Sequence, residues 1–299
     1  MPRLRISAIS FLNTAPLMWD FEHGDSGKDF EIDYTIPSLC AQALAEGRAD
    51  IGLIPAVTYL TIPKLVVVPE IAIAARGPVR SILLVSKAPV EEIRTVAADN
   101  ASRTSVALCR LLLKKWMCPA PAAASEATGD GDRRQPEFLP MQADLEAMLA
   151  RADAALLIGD SALRISHTRY AVFDLAEEWQ RYTGQPFVFA FWAVREEVAA
   201  PELAEIFERS AAHGLEEPSL EVICREWAPR VGISQADVHS YLTENLCYSL
   251  DQATIAGLQL FWRLASEEAI LPPPKPLRFL GESGEPSGLE PGRTQAQAR

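Results

Sequence analysis

The sequence predicts an α/β protein built from two lobes with a ligand cleft between them. Strand-like and helix-like segments alternate along most of the chain, which is typical of sheets covered by helices. The length of 299 residues suggests two domains, and 48% hydrophobic with 23% charged residues is typical of a globular protein with a large core. A late, wholly apolar strand at 187–194 then indicates how the two lobes are connected.

The elements follow from residue periodicity and from the residues at their ends. Leu4–Ile9 has the alternation of a strand, and 37–46 has helical spacing with proline in its first turn and Gly47 just past its end. Residues 104–116 form a helix with one apolar stripe. The other predicted strands are 50–54, 64–68, 71–75, 80–85, 154–158 and 187–194, and all of 201–269 is predicted to be helical.

The strand at 187–194 predicts a discontinuous first lobe. Only helices are expected after it, so we interpret it as the return of the chain, which brings the C-terminal helices back to the first lobe. This interpretation assigns 1–88 and 195–271 to lobe one and 89–194 to lobe two. A cleft between two such lobes, beyond the carboxyl ends of strands, is where α/β proteins bind small ligands.

Two segments have a composition that does not favour folding. Residues 118–136 are rich in alanine, proline and charge, and are predicted to be a loop insertion at the surface of lobe two. Residues 272–299 contain six prolines and four glycines, and we expect this tail to be disordered beyond about Leu280 because it buries too little apolar surface.

Composition and charge exclude several classes of protein. The formal net charge of −12 argues against nucleic-acid binding, because phosphate contacts need a surplus of Lys and Arg. The longest apolar stretch, 53–75, is interrupted by proline and charge, so we expect no membrane span. The chain enters its first strand without the apolar core of a signal peptide, which predicts a cytoplasmic protein. The five single cysteines show no CxxC spacing, so neither a zinc site nor a disulfide framework is expected.

Polar residues that follow predicted strands are the candidates for ligand binding. Asn13, after the first strand, offers both a donor and an acceptor, although Asn13 or Thr14 could instead simply cap a helix that begins near Ala15. After the strand at 50–54, Ile54 and Pro55 introduce a helix whose first backbone amides are unpaired and directed outward.

The strongest local signal is the segment from Ser102 to Ser105. Ser102 is predicted to cap a helix whose first turn holds Arg103, Thr104 and Ser105, so hydroxyls, free amides, the helix dipole and a guanidinium all favour an anion. The alternative is an ordinary helix cap with a solvated Arg103. After the strand at 154–158, Gly159 and Asp160 follow, and Asp160 either caps the next helix or contacts the ligand.

Several catalytic motifs are absent from the sequence. It contains no glycine-rich nucleotide loop, no HExxH pair and no GxSxG elbow, and its four histidines are far apart. The residues therefore predict a protein that binds a small anionic molecule without a metal or a nucleotide.

Six ordered blocks of the sequence resemble the chorismate dehydratases of the futalosine route to menaquinone. They are SFLNTAPL (10–17), AEGRADIGLIPA (45–56), GPVRSILLVSK (77–87), SRTSVALCRLLL (102–113), ADAALLIGDSAL (152–163) and GQPFVFAFWAVR (184–195). The resemblance covers about residues 3–268 and implies a type II periplasmic-binding-protein fold without an export signal. It also implies loss of water from chorismate to give 3-[(1-carboxyvinyl)oxy]benzoate, with no metal or redox cofactor.

The resemblance further implies which residues act on the substrate. Asn13 and Ser81 are the expected catalytic residues, and neither is a strong base, so the enolpyruvyl carboxylate of chorismate is expected to remove the ring proton itself. The expected substrate-binding residues are Ile54, Pro55, Ser102, Arg103, Thr104, Ser105, Gly159 and Asp160. Chorismate is the expected partner, and both a monomer and a homodimer remain open.

Two other functions fit the same sequence. The sister enzyme of this route, which cleaves cyclic dehypoxanthine futalosine, resembles the chain in the Thr-Ser pair but has a histidine where this sequence reads Ile158-Gly159-Asp160. A solute-binding protein that closes on an anion without changing it is the second alternative, because a fold does not determine a function. Such a receptor needs an export signal or a lipid anchor.

Overall fold

The computed structural model describes residues 3–101, 103–117, 135–165 and 169–282. Its eleven strands in these ranges are β1 (Leu4–Ile9), β2 (Phe30–Thr35), β3 (Ile51–Pro55), β4 (Leu65–Ala75), β5 (Ile82–Ser86), β6 (Thr95–Asp99), β7 (Glu137–Met141), β8 (Ala154–Ile158), β9 (Ala171–Asp174), β10 (Phe187–Arg195) and β11 (Cys247–Leu250).

The helices lie between these strands and after β10. The α-helices are α1 (Trp19–His23), α2 (Pro37–Ala45), α3 (Thr104–Leu112), α4 (Leu145–Arg151), α5 (Asp160–Leu163), α6 (Leu175–Thr183), α7 (Glu202–Gly214), α8 (Glu217–Val231), α9 (Gln235–Ser240) and α10 (Gln252–Glu267). Short 3-10 helices occur at Leu12–Met18, Ser26–Asp29, Ala56–Leu60, Val90–Glu92 and Glu196–Val198, and π-helical turns at Leu113–Met117 and Tyr241–Asn245.

The strands form two mixed sheets, as the predicted α/β class requires. The first has the order β11-β4-β10-β3-β1-β2, and the second has the order β7-β6-β8-β5-β9. In the first sheet β1 runs parallel to β2 and β3, whereas β10 is antiparallel to both β3 and β4. In the second sheet β6 runs parallel to β7 and β8, and β5 is antiparallel to β8 and β9.

Two strands pair in a different sheet from the one that the expected lobe boundaries give them. Strand β5 would fall in lobe one if the boundary were at 88, but it pairs with β8 and β9 in the second sheet. Strand β10 would fall in lobe two if that lobe ended at 194, but it lies at the centre of the first sheet. Every residue of β10 up to Val194 is buried, because β10 has a neighbouring strand on each side and side chains packed on both faces.

The region after β10 is not wholly helical, so that prediction was wrong at one element. Strand β11 pairs antiparallel with β4 at the edge of the first sheet. It has only four residues, of which Leu250 alone is buried, so its pattern does not stand out between two helices. None of the helices in the described ranges is long and apolar enough to cross a membrane.

The start of the tail, residues 272–282, packs against the first sheet. Phe279 forms a β-bridge with Val67, whose N–H donates to Arg278 O over 2.8 Å. Leu280 is buried, and the buried Tyr59 donates its hydroxyl hydrogen to Pro276 O over 3.0 Å. Residues 272–282 thus satisfy backbone groups by pairing with β4, which composition does not reveal. The predicted insertion at 118–136 lies outside the described residues up to 134, as does the tail from 283 onward.

Candidate active site

A cavity between the two sheets brings together most of the predicted site residues. The cavity, together with the open solvent at its entrance, contains about 510 Å³ of space between atoms. Seven of the ten predicted residues line it: Asn13, Pro55, Ser81, Arg103, Thr104, Ser105 and Gly159. Apolar side chains, among them Phe11 and Phe189, complete the walls. The cavity therefore combines an apolar surround with a few polar groups, as small-molecule sites do.

Strand direction explains why these residues meet. Asn13, Pro55 and Gly159 lie at or just beyond the carboxyl ends of β1, β3 and β8, where parallel strands present their loops. Ser81 comes before its strand, but β5 is antiparallel to β8, so the start of β5 lies beside the end of β8. The Gly159 N–H donates to Ser81 O over 2.8 Å and fixes this junction.

Asn13 lies inside a short helix and does not cap one. The 3-10 helix begins at Leu12, its N-cap is Phe11, and no side chain caps it, so the capping alternative for Asn13 and Thr14 was wrong. The Thr14 hydroxyl donates to Asn13 Oδ1 over 3.3 Å, and Tyr248 Oη donates to Asn13 O over 3.0 Å. The backbone of Asn13 is thus tied to β11 while its side chain lines the cavity.

Ser81 is buried and directly follows a backbone turn at Arg80, whose main chain and side chain are each held by an acidic residue. Arg80 has φ of 62°, an unfavourable value for a residue with a side chain. Its N–H donates to Asp174 Oδ2 over 2.6 Å, and its guanidinium lies 3.5 Å from Asp237. Burial raises the pKa of the Asp174 carboxyl, and hydrogen bonds from backbone N–H groups oppose that rise. These contacts stabilise the backbone conformation of the residue that precedes Ser81.

The hydroxyl of Ser81 accepts a hydrogen bond from Tyr241 Oη over 2.9 Å. The Asn13 side chain also interacts with this phenol and lowers its pKa, although less than burial raises it. One buried phenol therefore connects the two expected catalytic residues, one from each sheet. Burial raises the pKa of this phenol well above its ordinary value, so Tyr241 keeps its proton at neutral pH.

The start of α3 forms the polar end of the cavity. Thr104 is its first residue and Arg103 its N-cap, and no side chain of a described residue caps this helix. Ser102, the expected cap, lies outside the described residues. The Arg103 side chain is exposed at the cavity margin and forms no ion pair with another described residue. This cation and the positive end of the α3 helix dipole favour an anionic ligand.

The Thr104 hydroxyl is engaged within the protein. It donates to Phe189 O over 3.1 Å and accepts from Val57 N over 3.4 Å. Its hydrogen is thereby directed to β10, so the side chain joins α3 to the first sheet. Thr104 and the buried Ser105 nevertheless both line the cavity.

Two predicted binding residues do not line the central cavity. Ile54 is fully buried in β3 and belongs to the core, because strand side chains alternate and its neighbour Pro55 faces the cavity. Asp160 lines a second, adjacent cavity that shares Ile9 and Phe11 with the first. It does not cap α5 either, since the N-cap of that helix is Gly159 and no side chain bonds to it.

Asp160 instead joins the second sheet to the short helix that follows β1 of the first sheet. Its Oδ1 accepts from Leu12 N over 3.0 Å, at the first residue of the short helix that carries Asn13. Burial raises the pKa of this carboxyl to about 6, and the Leu12 hydrogen bond opposes the rise. Beside it Gly159 has φ of 59°, and a Cβ there would lie 2.7 Å from the Phe11 ring. Phe11 therefore packs against a position that needs glycine.

Sequence reasoning missed Tyr241 and Tyr248. Both lie in the segment predicted to be uniformly helical, and no local motif marks them. Tyr241 is the first residue of a π-helical turn, Tyr241–Asn245, a geometry that is frequent at functional sites but has no sequence signature here.

The described residues contain no cluster of three or more His, Cys, Asp or Glu side chains suited to a metal ion. Of the described cysteines, Cys40, Cys109 and Cys224 are buried and Cys247 is partly exposed.

The chain is similar in sequence to known proteins over most of its length. The sequence profile of a family described as menaquinone biosynthesis matches residues 4–267, which span both sheets and every cavity residue named above. The chain belongs to the menaquinone biosynthesis family. This family member is 28% identical over 270 residues to the chorismate dehydratase of Thermus thermophilus, an alignment that covers 84% of this chain and 91% of that protein.

Solved structures similar to this family member show its fold. A protein from Archaeoglobus fulgidus superposes with a TM-score of 0.71 at 17% identity, covering 90% of this chain and 98% of the other. The periplasmic aliphatic sulphonate binding protein SsuA from Escherichia coli has a TM-score of 0.59 at 17% identity, covering 91% and 94%. A Candida albicans protein described as having the generic periplasmic binding protein fold has a TM-score of 0.56 at 11% identity, covering 89% and 91%. The predicted periplasmic-binding-protein fold is thus confirmed.

Proposed function

We propose that this member of the menaquinone biosynthesis family is a chorismate dehydratase, a carbon–oxygen lyase. The observation that carries the proposal is the 28% identity to the Thermus thermophilus chorismate dehydratase over 84% of the chain. The central cavity supports it, because polar side chains from both sheets face a helix start suited to a carboxylate. Chorismate carries two carboxylates, one on the ring and one on the enolpyruvyl group.

The proposed reaction removes one molecule of water and balances without a further reactant. The C–H bond at ring C3 and the C–O bond at ring C4 break, the C3 electron pair enters the ring, and the C4 hydroxyl leaves with a proton as water. The product is 3-[(1-carboxyvinyl)oxy]benzoate. Aromatisation of the ring provides the driving force.

Asn13 and Ser81 are the proposed catalytic residues. Ser81 Oγ accepts from Tyr241, so its own hydrogen is available to an acceptor in the cavity, such as the departing hydroxyl or a carboxylate. Asn13 offers an amide that can orient the substrate. Neither is a base at neutral pH, so we assign proton removal to the enolpyruvyl carboxylate of the substrate. The protein then contributes orientation and polar stabilisation.

The α3 start is the proposed site of one substrate carboxylate. The Arg103 guanidinium has no ionic partner among the described residues and lines the cavity beside Thr104 and Ser105, at the positive end of the helix dipole. Since the net charge of the chain is −12, the overall field repels a dianion, and capture depends on these local donors.

The two alternative functions have less support. The sister enzyme would have a histidine at the end of β8, where this chain has Ile158-Gly159-Asp160. The similar structures include a sulphonate-binding protein. At 17% identity this similarity supports the shared fold alone and does not support a solute-binding function. The biosynthetic family supports a cytoplasmic enzyme, with chorismate as its small-molecule partner.

The test is incubation of the purified protein with chorismate, with separation of the products by liquid chromatography. Conversion to the aromatic ether supports the proposal. Tight binding of chorismate with no product at high protein concentration contradicts it and favours a binding protein. Cleavage of cyclic dehypoxanthine futalosine without action on chorismate favours the sister enzyme.

A further inference from the structure

Tyr241 is the buried residue that links the two expected catalytic side chains. Its side chain is 1% exposed and does not line the cavity, so it contacts the site from behind. Its hydroxyl lies 2.9 Å from Ser81 Oγ and also interacts with the Asn13 side chain. Ser81 belongs to the second sheet and Asn13 follows β1 of the first, so a single hydroxyl holds together groups from both sheets.

The number of hydrogens determines what this contact does. A phenol and a serine hydroxyl each have one hydrogen to donate. Because Tyr241 uses its hydrogen on Ser81, the hydrogen of Ser81 is left for an acceptor in the cavity. Without the phenol, Ser81 Oγ would lose this donor, and the direction of its own hydrogen would no longer be fixed. The burial of Tyr241 also keeps its phenol protonated, so it remains a donor.

A second tyrosine reinforces the same arrangement through the backbone. Tyr248, half-buried on β11, donates to Asn13 O over 3.0 Å. This bond holds the main chain of Asn13 while Tyr241 contacts the Asn13 side chain. The two tyrosines are seven residues apart, on either side of the turn that ends the π-helix at Asn245. Tyr241 and Tyr248 therefore support the expected catalytic residues without lining the cavity themselves.

We propose that Tyr241 is a positioning residue for the dehydration, which directs the Ser81 hydroxyl hydrogen into the cavity and fixes the Asn13 amide beside it. This inference rests on the proposed function. It predicts that the phenol oxygen matters for turnover through Ser81 and Asn13 and contributes little to substrate affinity.

The test compares two tyrosine variants that lose the same atom. Tyr241→Phe is expected to lower kcat for chorismate by about 10- to 100-fold while KM changes by less than about threefold, since misplaced catalytic groups slow the chemical step. Tyr59→Phe is the matched control, because Tyr59 is equally buried and bonded to Pro276 O and Arg278 N, away from the cavity. It is expected to keep the wild-type kcat.

A double variant separates positioning from a general structural effect. If Tyr241 acts through Ser81, the Tyr241→Phe change on the Ser81→Ala background is expected to lower kcat by much less than on the wild type. Equal losses on both backgrounds would overturn the inference, as would an unchanged kcat in Tyr241→Phe.

Crystal structures of the same variants test the inference without relying on activity. In Tyr241→Phe we expect the Ser81 or Asn13 side chain to change rotamer, whereas in Tyr59→Phe both stay in place. Unchanged rotamers in Tyr241→Phe would overturn the positioning role. A wild-type protein that leaves chorismate unchanged would instead refute the proposed function, and the rotamer comparison would still decide whether Tyr241 fixes the two side chains.

Discussion

Replacement of Arg103 by glutamine is the perturbation that probes anion capture most selectively. The guanidinium stands at the start of α3, lines the cavity and has no ion pair among the described residues. Removing it leaves the backbone amides of the helix start in place. We therefore expect Arg103→Gln to weaken substrate binding and to change the chemical step little.

The size of the effect follows from the exposure of the side chain. A hydrogen bond to a charged group contributes about 1.5–3 kcal/mol, and solvent at this exposed position reduces that to about 1–2 kcal/mol. This corresponds to a rise in KM of about 5- to 30-fold. Because salt screens exposed charges beyond about 10 Å at 0.1 M, the KM of the wild type should also rise with ionic strength more steeply than that of the variant.

The assay is steady-state turnover of chorismate at several salt concentrations. Arg110→Gln is the control, because it removes the same charge from the same helix, where Arg110 lies over the Phe138 ring with 4.1 Å to its centroid and does not line the central cavity. It is expected to keep the wild-type KM. Equal KM changes in the two variants would refute a local anion site and would point to net charge alone.

Three further expectations concern catalysis, ionisation and backbone packing. Asn13→Ala and Ser81→Ala should each lower kcat by at least about 100-fold with a small change in melting temperature, and near wild-type activity would remove that residue from the mechanism. Asp160→Asn should raise the free energy of unfolding by about 2–3 kcal/mol at pH 8, with the gain shrinking toward pH 4. Burial raises the pKa of the Asp160 carboxyl from 3.8 to about 6. The buried charge therefore destabilises the folded protein to its full extent above pH 6 and not at all below pH 3.8. A gain in the free energy of unfolding that stays constant with pH in urea titrations would contradict this reasoning. Gly214→Ala should destabilise the protein by more than about 3 kcal/mol, because the new Cβ would lie 2.0 Å from Pro16 O. Gly184→Ala is the control: it has open space at φ of 68° and should cost about 1 kcal/mol. Similar melting temperatures for the two variants would be evidence against the Gly214 contact.

The strongly patterned elements of the fold could be predicted from the sequence. Strand β8 was predicted with the bounds Ala154–Ile158, and β1 and β10 to within a residue, because unbroken or alternating apolar runs of this length have few other interpretations. Strand β4 was predicted as two runs. It is one strand that bends at Glu70, which has φ of 59°, and no periodicity shows that the two halves belong together.

The weak elements depend on contacts that a local pattern does not contain. Strand β2 is a half-exposed edge strand with charged residues, and β9 and β11 have four residues each. Their strand character comes from a partner strand distant in sequence. The same holds for residues 272–282, whose backbone pairs with β4 more than 200 residues earlier, and for the sheet membership of β5.

For the site, the sequence identified the groups that face the ligand better than the groups that hold them. Asn13 and Arg103 were found because they follow predicted strands, and Ser81 was implied by the family resemblance. Tyr241 and Asp174 were not, since their importance lies in a hydrogen bond across the fold. Asp160 was assigned to the ligand or to a cap, but its partner is an amide 148 residues away.

The central claim is that chorismate loses water in the cavity that Asn13 and Ser81 line. The most direct measurement is mass spectrometry of chorismate after a single turnover on excess enzyme, with wild type and Ser81→Ala side by side. The account predicts a product lighter by one water from the wild type, and chorismate still bound but unchanged on Ser81→Ala over the same time. Intact chorismate recovered from the wild type, or equally fast water loss on both proteins, would contradict it.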